Sequence, residues 1–118
     1  MKQFDPTHLS YFIGTSAYYL IANRVVLTDG TKYVAEHANA FWLMDAIASY
    51  LPRLEREHSF VVAVLTVSGS TAKLSLTDGN HLLLAEQEIE YTDFPAKRIM
   101  IYACLSTNYW VLMLPSEY

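Results

Sequence analysis

Apolar residues recur along this chain with two periods, and the change from one to the other marks out its elements. Residues 71–77 alternate strictly, with Ala72, Leu74 and Leu76 on one side and Lys73, Ser75 and Thr77 on the other, the pattern of a half-buried strand. Residues 60–67 are nearly all apolar and rich in β-branched side chains, as a central strand requires. Further strands are predicted over 81–91, 99–105 and 109–114, the last two joined by Ser106-Thr107-Asn108. Between 40 and 54 the period lengthens. There Leu43, Ile47, Tyr50 and Leu54 stack at helical spacing, Met44 and Leu51 widen the stripe, and Asn39 stands where an N-cap belongs. Pro52 removes one hydrogen bond near the end of this helix. A short opening helix is predicted over 7–12, stopped by Gly14.

One tetrapeptide occurs twice. Leu27-Thr28-Asp29-Gly30 and Leu76-Thr77-Asp78-Gly79 each lie between strand-like runs, and Asp-Gly favours a two-residue hairpin turn in which both central residues take positive φ. The first copy predicts a hairpin of strands 18–28 and 31–36, with Thr28 opposite Thr31, Val26 opposite Tyr33 and Asn23 opposite Glu36. Apolar residues fall on both faces of this hairpin, which implies cover on both sides or a bulge. The second copy joins 71–77 to 81–91. Helix, hairpin, helix and then mostly antiparallel strands give an α+β fold. It is read as a single domain over 1–118, with a twisted sheet of about six to seven strands packed against one main helix.

Composition adds a surface to this picture. Apolar residues make up 53% of the chain and charged ones only 17%, so apolar material is expected to reach the surface and be covered by a protein partner or a second copy, most simply as a homodimer. Nine Tyr and two Trp are the residue types that anchor interfaces, and Tyr109, Trp110, Glu117 and Tyr118 are the candidates for exposed contacts. A net charge of −4 without a basic stretch argues against nucleic-acid binding. No leader-like or membrane-spanning run occurs, and the lone Cys104 cannot pair internally, so a cytoplasmic protein with no membrane partner is expected.

Chemical motifs are sparse. The chain has no Gly-rich phosphate loop, paired-His zinc helix, Cys-x-x-Cys or nucleophile elbow. His8, His37, His58 and His81 fall one per element, and His37 with Glu36 and Asp45 is the nearest approach to a ligand set. No catalytic residue, metal or cofactor is expected. Asp45 lies mid-helix among apolar neighbours, where a carboxylate bordering the core needs a partner such as Lys32, Arg24 or a tyrosine hydroxyl. With Tyr33 and Tyr91 it is the candidate for a pocket between helix and sheet. Glu86, Glu88 and Glu90 share one strand face at about 7 Å steps. They form either a solvated face that discourages edge pairing or an acidic docking surface.

Four segments resemble a family of small, uncharacterised bacterial proteins also met in phages and mobile elements. They are Thr28-Asp29-Gly30 with Lys32-Tyr33 and Ala35-Glu36; Ala40 and Trp42-Leu43 with Asp45, Ile47 and Ser49-Tyr50; Tyr91-Thr92-Asp93-Phe94-Pro95; and the tail Leu114-Pro115-Ser116-Glu117-Tyr118. The resemblance covers most of the chain and implies a domain of unknown function, with no activity, cofactor or catalytic residue attached. The function expected is a non-enzymatic protein-interaction module, an accessory of mobile elements acting on a host protein. A small-molecule binder or small enzyme with a pocket at Tyr33, Asp45 and Tyr91 is one alternative. An acidic nucleic-acid mimic presenting Glu86, Glu88, Glu90 and Asp93 is another.

Overall fold

A computed structural model describes residues 14–118; the helix expected over 7–12 lies outside them. The strands are β1 (Tyr19–Ala22), β2 (Val25–Leu27), β3 (Phe60–Ser68), β4 (Thr71–Thr77), β5 (Leu83–Ile89), β6 (Arg98–Ser106) and β7 (Tyr109–Met113). Two helices, α1 (Asp29–His37) and α2 (Phe41–Leu54), lie between β2 and β3, and a 3₁₀ turn, Pro115–Glu117, follows β7. The strands form one open sheet in the order β1-β2-β7-β6-β3-β4-β5, antiparallel throughout except where β2 runs parallel to β7. The fold is therefore α+β, with two helices where one main helix was expected.

Burial separates the two faces of the sheet. Ala63 and Leu65 of β3 register with Ile101 and Ile99 of β6 and with Leu76 and Leu74 of β4, Val61 registers with Ala103, and all are buried. They join Val34 and Ala35 of α1 and Leu43, Ile47 and Leu51 of α2 in one apolar cluster. Both helices thus cover the same face. Residues on the other face, such as Val62, Val64 and Tyr102, are only partly buried.

The expected first hairpin is absent, because Asp29 and Gly30 open α1 instead of reversing a strand. Thr28 and Thr31 close a capping box: Thr28 N–H donates to Thr31 Oγ1 at 2.9 Å, and Thr31 N–H donates to Thr28 Oγ1 at 3.3 Å. Asp29 puts a negative charge in the first turn, where the helix dipole favours it. Thr31, Val34, Ala35 and Ala38 then fall at helical spacing and are all buried. Thr28 is accordingly not paired with Thr31 across a ladder, nor Val26 with Tyr33 or Asn23 with Glu36. The strand predicted over 18–28 is itself the hairpin, turning at Asn23-Arg24 with Arg24 at φ 61 and a bulge between Leu20 and Ala22.

Asn39 also serves a different end than expected. It takes φ 55 after α1, and Ala40 N–H donates to Ala35 O at 2.9 Å, so it terminates the first helix instead of capping the second. The second Asp-Gly does reverse the chain, but as a five-residue loop between Thr77 and Leu83, with positive φ at Gly79 and His81. Asp78 organises it: its carboxylate accepts from the backbone N–H groups of Asn80 at 2.7 Å and Leu82 at 3.1 Å, which hold it below the usual carboxylate range.

The tail after β7 clasps the start of α1. Glu117 accepts from Thr28 Oγ1 at 2.6 Å, Gly30 N–H at 3.0 Å and Leu114 N–H at 2.9 Å. A side chain at position 30 would lie 2.5 Å from the Glu117 carboxylate, so this glycine is needed for close approach and not for turn geometry. Asp29 faces the other way. Ser16 N–H, and then the Tyr19 hydroxyl at 2.9 Å, hold its carboxylate below its ordinary value of 3.8. The stability linked to a depressed carboxylate is fully present above that value and is lost as pH falls through the lower folded one. Asp29→Asn is expected to flatten the acid limb of melting temperature against pH; a limb as steep as the wild type's would show the network to be unlinked to folding.

Candidate functional site

The face of the sheet away from the helices is apolar over much of its width. Register places Leu20, Val26, Val111, Cys104 and Phe60 in one row across β1, β2, β7, β6 and β3. The next row carries Met113, Tyr102, Val62 and Thr77. Charge within the strands of this face gathers at one end of the sheet, where Arg98 of β6, Lys73 of β4 and Glu88 of β5 share a row and Lys73 lies 3.9 Å from Glu86.

Relief divides this face into a groove and a ridge. Tyr18, Leu20, Val26, Tyr109 and Val111, with Ser106 and Thr107 at one end, line a groove of about 620 Å³. Its walls stand well into solvent: Tyr18 is 62% exposed, Leu20 68% and Tyr109 48%. Beside it Phe60, Tyr102 and Tyr118 form an aromatic ridge, with ring centroids 5.1 to 5.4 Å apart and edge-to-face or tilted geometry. The tail therefore serves both faces, Glu117 at the helix layer and Tyr118 on the ridge.

The candidate contact residues fare differently. Tyr109 and Tyr118 are exposed on this face. Trp110 is not: its position in β7 points to the helices, where it is 1% exposed in the core. Its indole N–H finds no acceptor among the described residues. Glu117 is turned inward by the clasp. Glu86 and Glu88 line the charged corner of edge strand β5, and Glu90 follows it, also exposed.

Asp45 is exposed and does not border the core, because the α2 stripe of Leu43, Met44, Ile47, Ala48 and Leu51 points away from it. Tyr33 stacks on His37 at 4.3 Å on α1, whereas Tyr91 is 74% exposed beyond β5 at the opposite side of the sheet. The Tyr91-Thr92-Asp93-Phe94-Pro95 segment carries the chain from β5 back to β6, held by Thr92 N–H to Ser70 O at 2.7 Å and Phe94 N–H to Thr92 Oγ1 at 3.1 Å.

Among the described strand residues, ionisable chemistry on the open face is limited to Arg98, Lys73, Glu86 and Glu88 at one end, tyrosines and Cys104, whose thiol burial pushes up from its ordinary value, away from the reactive thiolate. Among the described residues, no group of three or more His, Cys, Asp or Glu is placed to hold a metal ion. No helix among them is long and apolar enough to cross a membrane. What the arrangement supplies is an apolar surface that no described helix covers, with aromatic relief and charge at one end. Tyr18, Leu20, Val26 and Val111 were missed in the sequence. Their signal was the second set of apolar positions in strands whose first set already fills the core.

The fold is an α+β sheet with both described helices on one face, and the comparison over the chain supports the uncharacterised family that its motifs resemble. The chain belongs to DUF6876, a family of unknown function, whose family model matches residues 5–118. No curated protein and no solved structure matches it.

Proposed function

We propose that this protein is a non-enzymatic protein-interaction module that docks protein through the open sheet face. The observation carrying this reading is the groove walled by the exposed Tyr18, Leu20 and Tyr109 beside the aromatic ridge, on a face that no described helix covers. Exposed aromatic anchors around an apolar depression are what hot spots of interfaces are made of. The segments that carry the family resemblance are meanwhile engaged in holding the fold: Thr28 and Gly30 with Glu117, and Thr92 with Phe94. An accessory role in bacterial mobile elements, acting on a host protein in the cytoplasm, fits the resemblance by analogy.

A photo-crosslinking amino acid placed at Leu20 or Tyr109 is expected to trap protein adducts in cells, and one at Arg56, exposed after α2, is not. Equal trapping at all three positions, or none on the face, would remove this reading. A second reading has one observation in its favour: the groove volume lies within the range of small-molecule sites. It predicts no protein adducts at Leu20 or Tyr109, but displacement of an apolar fluorescent probe by extracted metabolites.

A further inference from the structure

We infer that the occupant of the open face is a second copy of this chain, packed sheet on sheet about a two-fold axis running between β7 and β6. The inference rests on the reading of that face as an interaction surface and names its partner.

Three observations support it, beginning with reciprocal shape. An isologous contact must bring a feature on one side of the axis against a complementary feature on the other. The groove floor lies on β2 and β7, and the ridge rises from β3 and β6, so the proposed axis falls between them. Rotation about it lays β2 over the partner's β3 and β7 over the partner's β6. Each ridge of Phe60, Tyr102 and Tyr118 then enters the other copy's groove above Val26. Leu20 comes to lie beyond the ridge, next to Gly79, which has no side chain and sits against the Phe60 ring.

Charge is the second observation. An axis along the strands keeps each residue at its own height in the sheet. Arg98, Lys73, Glu86 and Glu88 occupy the ends of β6, β4 and β5 that extend past the short strands β1, β2 and β7. They overhang the contact and stay hydrated, which avoids burying unpaired charge. Area is the third. At strand spacings of about 4.8 Å and outward rows of about 6.8 Å, the outward positions from β1 to β4 span on the order of 400 Å² in each copy, and the exposed rings of Tyr18, Tyr109 and Tyr118 that stand above the sheet add to it. The pair then removes about 1,000 Å² from water, where specific interfaces begin. The angle between the two sheets is expected near the aligned value of about 30°.

Sedimentation equilibrium of the full chain tests this. At about 100 µM, where even a micromolar Kd leaves little unpaired chain, the wild type is expected to sediment at twice the chain mass. Leu20→Glu, at an edge-strand side chain already facing solvent, is expected to keep the wild-type circular dichroism. It should raise the dimer Kd by at least about 30-fold, as loss of a hot-spot contact does. Glu88→Lys in the overhanging corner is expected to leave the Kd within about twofold, the tolerance of rim charges. Cys104, which the contact covers, is expected to react with a thiol reagent faster in the Leu20→Glu chain than in the wild type.

A wild type that stays monomeric would overturn the inference, as would a dimer that tolerates Leu20→Glu or is broken by Glu88→Lys. Binding of an apolar fluorescent dye separates this failure from the wider one. A monomer whose dye binding is lost with Leu20→Glu sinks the dimer but keeps the interaction face. A monomer that binds no dye there sinks both.

Discussion

Trp110→Ala is expected to destabilise the protein by about 3–5 kcal/mol, the range for emptying a large aromatic site in a core. The indole is among the largest fully buried side chains, and it sits on β7, opposite Val25 of β2 and Leu105 of β6. The cavity would therefore open beneath both the parallel and the antiparallel pairing of that strand. Trp110→Phe provides the informative contrast. It keeps one ring and removes the indole N–H, which has no acceptor among the described residues, so part of the lost packing is offset by relief of an unpaired donor. Its cost should be less than half that of alanine. For a chain of this size each kcal/mol is about 4 °C in melting temperature, so a thermal melt resolves the two. Equal losses would mean that the N–H is satisfied in solution, for instance by a buried water.

Glu117→Ala comes second, at about 2–3 kcal/mol, since it leaves the Thr28 hydroxyl and the Gly30 and Leu114 N–H groups without their common acceptor. The Gly30 N–H belongs to the first turn of α1, whose N–H donors have no partner within the helix, and Thr28 is the residue that caps that turn. The loss is expected to appear as fraying of α1 as well as a lower melting point, and amide exchange at Gly30 should accelerate most. Glu117→Gln keeps a carbonyl acceptor but loses the charge near the helix N-terminus, and should fall between the two. Because Tyr118 follows directly, Glu117→Ala should also loosen the ridge that Tyr118 forms with Phe60 and Tyr102. Gly30→Ala tests the same clasp from the other side, since its new methyl group would meet the Glu117 carboxylate. If Gly30→Ala and Glu117→Ala add independently, the two residues are not coupled and the clasp is no unit.

The strands from residue 60 onward were legible because their information is local. Ala72, Leu74 and Leu76 alternate with polar neighbours, and a period of two admits one answer wherever one face is buried. The α2 stripe was equally plain. The chain from 18 to 39 was misread because Asp-Gly suits two structures, a hairpin turn and the first turn of a helix. What chose between them was Thr31, set three residues after Thr28 to close a capping box, and Glu117, 87 residues beyond Gly30 in the chain. The spacing of Thr31, Val34, Ala35 and Ala38 already carried the helical period. The candidate surface was half legible. Tyr109 and Tyr118 were found as aromatic anchors, whereas Trp110, next in sequence to Tyr109, has the opposite fate because adjacent residues in a strand point to opposite faces.

By itself the amino-acid sequence determined the class of fold, most of the strands, the longer helix and an excess of apolar side chains over what one core can hold. Those properties follow from periodicity and composition, which are summed over neighbouring residues. Only the tertiary structure decided which reversal is a turn and which a helix start, where the tail is fastened, and which face of the sheet the described helices cover. Each of these depends on groups brought together from distant parts of the chain, as Glu117 is to Gly30 and Phe60 to Tyr118, and a local pattern holds no record of such encounters.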